Sequence, residues 1–235
     1  SVADVIGTGV GTLTKSGTGT LTLSGTNTYD GGTTISAGTL SISSDGNLGN
    51  VPGSVTAASI NLNGGTLAVS NDVTLGTNRG ITLGGNSTID VASGKTLTYG
   101  GVVTDGSGSY SLTKSGTGTL TLSGANTYTG TTDVTAGTLV VANAQGLGTT
   151  AGGTTVRSGA TLDLAGVAVG AEPLTLDGGT LKDVTSSLSG NIALTANSTL
   201  SATNASDTLT LSGIISGGFG ITKTGAGTVV MSGAN

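Results

Sequence analysis

The chain has no cysteine, no histidine and no tryptophan, one phenylalanine and two prolines in 235 residues. Without cysteine there is no disulfide, no thiolate zinc site and no thiol nucleophile, an absence that suits an exported chain crossing an oxidising compartment. Without histidine the commonest general base and metal ligand near neutral pH is missing. Charged residues make up 8% of the chain, and the seven Lys and Arg are scattered against a net charge of −5. No basic field attracts phosphates, so nucleic acid is not an expected partner. No run approaches 18 apolar residues, and Ser1 is not followed by the basic and apolar regions of a signal peptide.

Glycine contributes 45 residues, and threonine is about as common. Thr, Val and Ile favour extended backbone, because branching at Cβ restricts χ1 and suits a pleated surface. No stretch of a dozen residues escapes Gly or a Ser/Thr/Asn/Asp cluster, so no helix propagates far enough to offset its nucleation cost. Low charge with abundant Leu, Val and Ile argues against disorder. The composition predicts a folded chain made of strand and turn.

Internal repetition is the strongest signal. Leu13–Leu40 reads LTKSGTGTLTLSGTNTYDGGTTISAGTL and Leu112–Leu139 reads LTKSGTGTLTLSGANTYTGTTDVTAGTL, identical at 22 of 28 positions. A third copy opens at Ile221 as ITKTGAGTVVMSGAN and reaches Asn235 partway through the motif, as expected of a piece of a longer chain. Between the copies runs a shorter rhythm, a Gly-rich turn followed by alternating apolar and polar residues. Gly38-Thr39-Leu40-Ser41-Ile42, Gly65-Thr66-Leu67-Ala68-Val69, Gly137-Thr138-Leu139-Val140-Val141 and Gly179-Thr180-Leu181 all follow it.

Period-two alternation puts Leu and Ile on one face of each strand and Thr and Ser on the other. So short a strand buries little alone, but stacking coils about 4.8 Å apart turns equivalent positions into aliphatic ladders. With a coil of roughly 22 residues, residues 1–235 form about ten coils of an all-β, right-handed parallel β-helix, a solenoid with short Gly/Asn/Ser-rich turns. A β-sandwich does not explain near-identical segments so far apart, and propeller blades need longer antiparallel hairpins.

The segments LTKSGTGTLTLSG(T/A)NTY and T(I/V)(S/T)AGTL resemble the autotransporter-associated β-strand repeat, also described as the passenger-associated transport repeat. The resemblance is specific at 13–40 and 112–139 and partial at 221–235; Gly64–Thr98 and Gly152–Leu211 look like degenerate β-helix coils. It implies a bacterial type V secreted passenger, exported through the periplasm and an outer-membrane β-barrel of the same polypeptide and folded at the cell surface. Sequential coil formation is then expected to promote export, since each new coil templates the next.

Individual residues read mainly as structural. Lys15, Lys114 and Lys223 recur before Ser/Thr-Gly, and are expected to be solvated turn charges that discourage strand aggregation. Asn27-Thr28-Tyr29 and Asn126-Thr127-Tyr128 are expected to cap backbone groups and to cover the core edge, with Asn235 opening a third such turn. Asp163, Asp177 and Asp183 are the nearest approach to a carboxylate cluster, but an Arg- or Lys-rich cleft with long loops is lacking. No catalytic, cofactor or metal residue is assigned; the Asp repeat of calcium-binding nonapeptides is missing, and Gly17-Thr18-Gly19 and Gly218-Phe219-Gly220 lack the helix of a nucleotide loop. Thr18-Gly19-Thr20 and Thr26-Asn27-Thr28 resemble ice-binding pairs that do not recur at every coil. The expected role is a structural or adhesive surface segment rather than an enzyme, with cell-surface glycans or proteins, or further copies of itself, as partners. The rival readings are a self-assembling extracellular fibre and a polysaccharide-active enzyme.

Overall fold

A computed structural model of the chain describes residues 1–7 and 9–235. The described residues hold 27 strands and one 3-10 turn, Asp45–Leu48, and no α-helix. Every strand-to-strand pairing is parallel, from Leu13–Lys15 on Thr33–Ile35 to Thr208–Leu211 on Thr228–Met231. The strands stack as a β-solenoid of about ten coils, with sheets of ten, eight, five and four strands running along it. Register partners in successive coils lie from 18 positions apart, as at Leu174 and Ile192, to 27, as at Leu40 and Leu67.

The ladders follow the alternation of each strand. Leu21, Leu40, Leu67 and Ile89 are register partners in the ten-stranded sheet. Leu97, Leu120, Leu139, Leu162, Leu181 and Leu200 form a second column in the eight-stranded sheet. Leu97 thus does not continue the column of Leu67; it faces the same interior from another wall, and both join one apolar cluster reaching from Leu23 to Leu211. On the outward side of the second column stand Thr96, Thr119, Thr138, Thr161, Thr180, Thr199 and Thr222, one in each of seven successive coils. Thr therefore does recur coil by coil, though in a column other than the Thr18 and Thr26 segments.

Each repeat copy sits one wall further round the axis than the last. The first lays Leu13–Lys15 in the five-stranded sheet and Thr20–Leu23 in the ten-stranded sheet; the second lays Leu112–Ser115 and Thr119–Leu122 in the ten- and eight-stranded sheets. The third places Ile221–Thr224 and Thr228–Met231 in the eight- and four-stranded sheets. The repeat spacing is not a whole number of coils, so the motif drifts in phase. Each of the first two copies also leaves its third wall without a strand for two coils. In the second copy that wall holds Asn126–Tyr128 and then residues 142–149, which separates the five-stranded sheet, ending at Val103–Asp105, from the four-stranded sheet beginning at Ala168–Val169.

The Ala-Gly-Thr-Leu of each full copy has a steric reason. Gly38 and Gly137 have φ of 63° and 66°, and a Cβ on either would strike the carbonyls of the preceding coil, Gly17 and Gly19 or Gly116 and Gly118. Only glycine supplies both the left-handed backbone and the clearance. The turn so formed sends Leu139 inward, fully buried between Leu120 and Leu162. Leu139→Ala is expected to lower stability by about 2–5 kcal/mol in urea denaturation, as a cavity in a close-packed column does. Its outward neighbour Thr138→Ala is expected to change it by less than about 1 kcal/mol.

Candidate functional site

The polar residues of the repeat lie inside the solenoid wall, clamping one coil to the next. Lys15 and Lys114 are not solvated turn charges: they are 6% and 0% exposed. Lys114 occupies an inward column between Ile89 and Val134, where its methylene stem replaces an aliphatic side chain. The following turn, with Gly116 at φ 69°, brings carbonyls toward the ammonium. Lys114 Nζ donates to Ser115 O at 2.7 Å, Gly116 O at 2.8 Å and, in the next coil, Ala136 O at 3.1 Å. Lys15 repeats this on Ser16, Gly17 and Ala37 at 3.1, 2.7 and 3.0 Å. Burial draws the Lys114 ammonium down to about 8, opposed by the Asp90 carboxylate, so it is still charged at neutral pH. Lys223 is exposed and donates to Gly225 O at 2.6 Å.

The asparagines form the second clamp. Asn126 is 2% exposed; its Oδ1 accepts from Val103 N in the coil before at 2.8 Å, while its Nδ2 donates to Gly146 O in the coil after at 2.7 Å. Asn27 joins Ile6 N and Asn47 O in the same way, at 2.8 and 2.6 Å. Asn235 Oδ1 accepts from Ile215 N at 2.7 Å. Asn126 thus ties the strand Val103–Asp105 to the two strandless segments that follow it on the same wall. The tyrosines lie within the core rather than on its edge. Tyr29 and Tyr128 are 4% and 0% exposed and pair their hydroxyls with Thr33 and Thr132 at 2.7 and 2.6 Å. Burial raises both phenols above their ordinary range, so they remain protonated.

The three aspartates do not converge. Asp163 is paired with Lys182 at 2.7 Å, and Asp177 accepts from Arg157 at 3.3 Å and from Thr195 at 3.0 Å. Asp183 faces inward, fully buried, with neither oxygen hydrogen-bonded among the described residues. No group of three or more potential metal-binding side chains assembles among those residues.

Two charged residues that carry no motif become prominent in three dimensions. Arg79, 1% exposed, lies under residues 45–50 of the first copy and pairs with Asp45 at 2.8 Å. Glu172, 3% exposed, lies under the corresponding turn of the second copy, where its Oε1 accepts from Thr154 Oγ1 at 2.8 Å. It borders a cavity of about 510 Å³ shared with Gln145, Leu147, Gly148, Thr149 and Val169. A sequence clue existed for Glu172: it is the chain's one glutamate, set directly before Pro173 and a strand.

A parallel β-solenoid whose coils are clamped by recurrent buried Lys and Asn defines the class of architecture. The passenger-associated-transport-repeat family model matches residues 13–42, 112–141 and 221–235, and these three segments are repeats of that family. Repeats of this family together with a β-solenoid fold fit an autotransporter passenger, a kind of protein that is secreted or surface-exposed. No curated protein and no solved structure shows significant similarity to the chain.

Two outcomes follow from this geometry. Asn126→Ala orphans Val103 N–H and Gly146 C=O in the wall and is expected to lower unfolding free energy by about 2–6 kcal/mol, each buried orphan costing about 1–3. Burial raises the Glu172 carboxyl from 4.5 to about 7, against the opposing Thr154 hydrogen bond. Its folded pKa exceeds its unfolded one, so the folded state holds the extra proton between those values. Stability therefore declines as pH rises from 4.5 through about 7. Glu172→Gln removes that component, and melting curves across this range should show a flatter pH dependence than in the wild type.

Proposed function

We propose that the chain is a structural segment of an autotransporter passenger whose coil-by-coil folding outside the outer membrane draws the rest of the polypeptide through the same protein's β-barrel. The observation that carries this reading is that each clamp joins one coil to its neighbours. Lys114 meets carbonyls one and two residues on and Ala136 O in the adjacent coil; Asn126 meets Val103 N on one side and Gly146 O on the other. Each coil that emerges completes the hydrogen bonding of the one before and buries another rung of leucines. Reversal then exposes a buried ammonium or amide, which makes backward sliding costly. The outer membrane offers no nucleotide or ion gradient, so such folding is a suitable rectifier.

A second element of the proposal is adhesion. Seven outward threonines in register, each half-buried or exposed, present hydroxyls at the coil repeat, and contacts of this kind gain strength by number rather than individually. Glycans or proteins on host or neighbouring cells suit such a surface. Asp163 and Asp177 are paired across coils and Asp183 is buried, which favours a binding and structural role over polysaccharide cleavage.

In the full-length parent protein, deletion of residues 112–139 should slow the appearance of the passenger at the cell surface, read by protease accessibility in a pulse-chase. Lys114→Met with Asn126→Ala, which keeps the chain length, should slow it in the same direction. Surface arrival at the wild-type rate in both variants contradicts the export role.

A further inference from the structure

Hydrogen bonds of the first two repeat copies, and of the turn after each, recur at a shift of 99 positions, so the space beneath one turn reports on the space beneath the other. Asn27 N donates to Gly46 O and Asn126 N to Gln145 O; Asn50 N donates to Tyr29 O and Thr149 N to Tyr128 O. Residues 45, 48, 49 and 50 thus correspond to Ala144, Leu147, Gly148 and Thr149. The residues beneath correspond too. Arg79 and Glu172 each stand two positions before the rung that continues the ladder from the repeat threonine, Thr33 to Ile60 to Ile81 in one copy and Thr132 to Thr154 to Leu174 in the other.

In the first copy the turn's carbonyls point at a guanidinium. Arg79 Nη1 donates to Leu48 O at 2.9 Å and Asn50 O at 3.2 Å, and Nη2 to Gly49 O at 2.6 Å and Asp45 O at 3.2 Å. The Asp45 carboxylate takes Nε at 2.8 Å and Nη2 at 3.3 Å. In the second copy the same backbone turn is kept and the cation is gone. Leu147 O receives one long bond from Thr132 Oγ1 at 3.5 Å; the carbonyls of Ala144, Gly148 and Thr149 receive none among the described residues. Thr149 Oγ1 is buried without a partner, and Glu172 uses only Oε1. These acceptors border the 510 Å³ cavity, which no Lys or Arg lines. Thr149 Oγ1, shut away from solvent without a donor, is a kind of acceptor rare in folded proteins and calls for an occupant.

We propose that this cavity is a binding site for a guanidinium group brought by a ligand, which takes the place that Arg79 fills in the first copy. Glu172 supplies from below the counter-charge that Asp45 supplies from the turn, and the carbonyls of Leu147, Gly148 and Thr149 accept the in-plane N–H groups. A planar fork of five donors suits such a ring of acceptors better than a compact ammonium does. The source is either an arginine side chain on a partner polypeptide or a small guanidinium compound, and the chemistry recognised is the same for both.

The test is calorimetric titration of the folded chain with methylguanidinium, with urea as the uncharged planar analogue and methylammonium as the compact cation. Saturable binding at one site is expected, weakened about tenfold or more for urea, for methylammonium and in Glu172→Gln. Ala144→Asp combined with Glu172→Arg rebuilds the first copy's arrangement within the second, and should abolish binding while raising the melting temperature. An arginine peptide blocked at both ends distinguishes the sources: tighter binding than methylguanidinium assigns the site to a polypeptide partner, and weaker binding to a small molecule. Absence of saturable methylguanidinium binding to the wild type, or equal affinity for urea, for methylammonium or in Glu172→Gln, overturns the proposal.

Discussion

Everything in this solenoid depends on successive coils lying in register, so that an inward side chain meets its own counterpart in the coils on either side. Parallel backbone pairing alone fixes the spacing of the coils but not which residues face each other, because a slip of one position exchanges inside for outside. Buried Lys and Asn side chains at fixed distances from the turns remove that freedom. A Lys114 ammonium displaced by one residue leaves the carbonyls of Ser115, Gly116 and Ala136 and meets aliphatic carbon, and a displaced Asn126 loses a donor on one side and an acceptor on the other. These polar clamps specify the register that the leucine columns then stabilise.

The phase drift of the copies extends this argument. The motif occupies three different pairs of walls yet keeps its internal geometry in both full copies, so it behaves as a local unit set by its own turns rather than by its position round the axis. What lies beneath the unit is free to vary. Under the first copy a buried Arg79 satisfies the turn; under the second an acid takes its place and a cavity opens. A repeat that carries its own register signal tolerates such exchange in the neighbouring, degenerate coils.

Much of the fold was legible because its cause is local. The Gly-Thr-Leu rhythm encodes a turn and an inward residue within five positions, and near-identical segments rule out architectures without translational symmetry. The recurrent Lys was noticed but misplaced, since a cation in a strand reads as surface unless the carbonyl cup made by the next turn is seen. Leu67 and Leu97 share a rhythm but stand on different walls, because coil length varies and the sequence does not announce where the third strand is omitted. Periodicity singles out neither Arg79 nor Glu172: their significance lies in their places beneath turns about 30 and 25 residues earlier and in their equivalence across two copies.

Amide hydrogen exchange of the wild-type chain tests the clamp account most directly, because the bridged segments are not strands and meet the adjacent coils through isolated backbone bonds that depend on the side-chain clamps to stay closed. The account predicts that the amides of Asn126, Thr127 and Thr149, which close the second copy's strandless wall, exchange as slowly as that of Leu120 within the adjacent sheet. Exchange at those three positions as fast as in an open surface loop would contradict it.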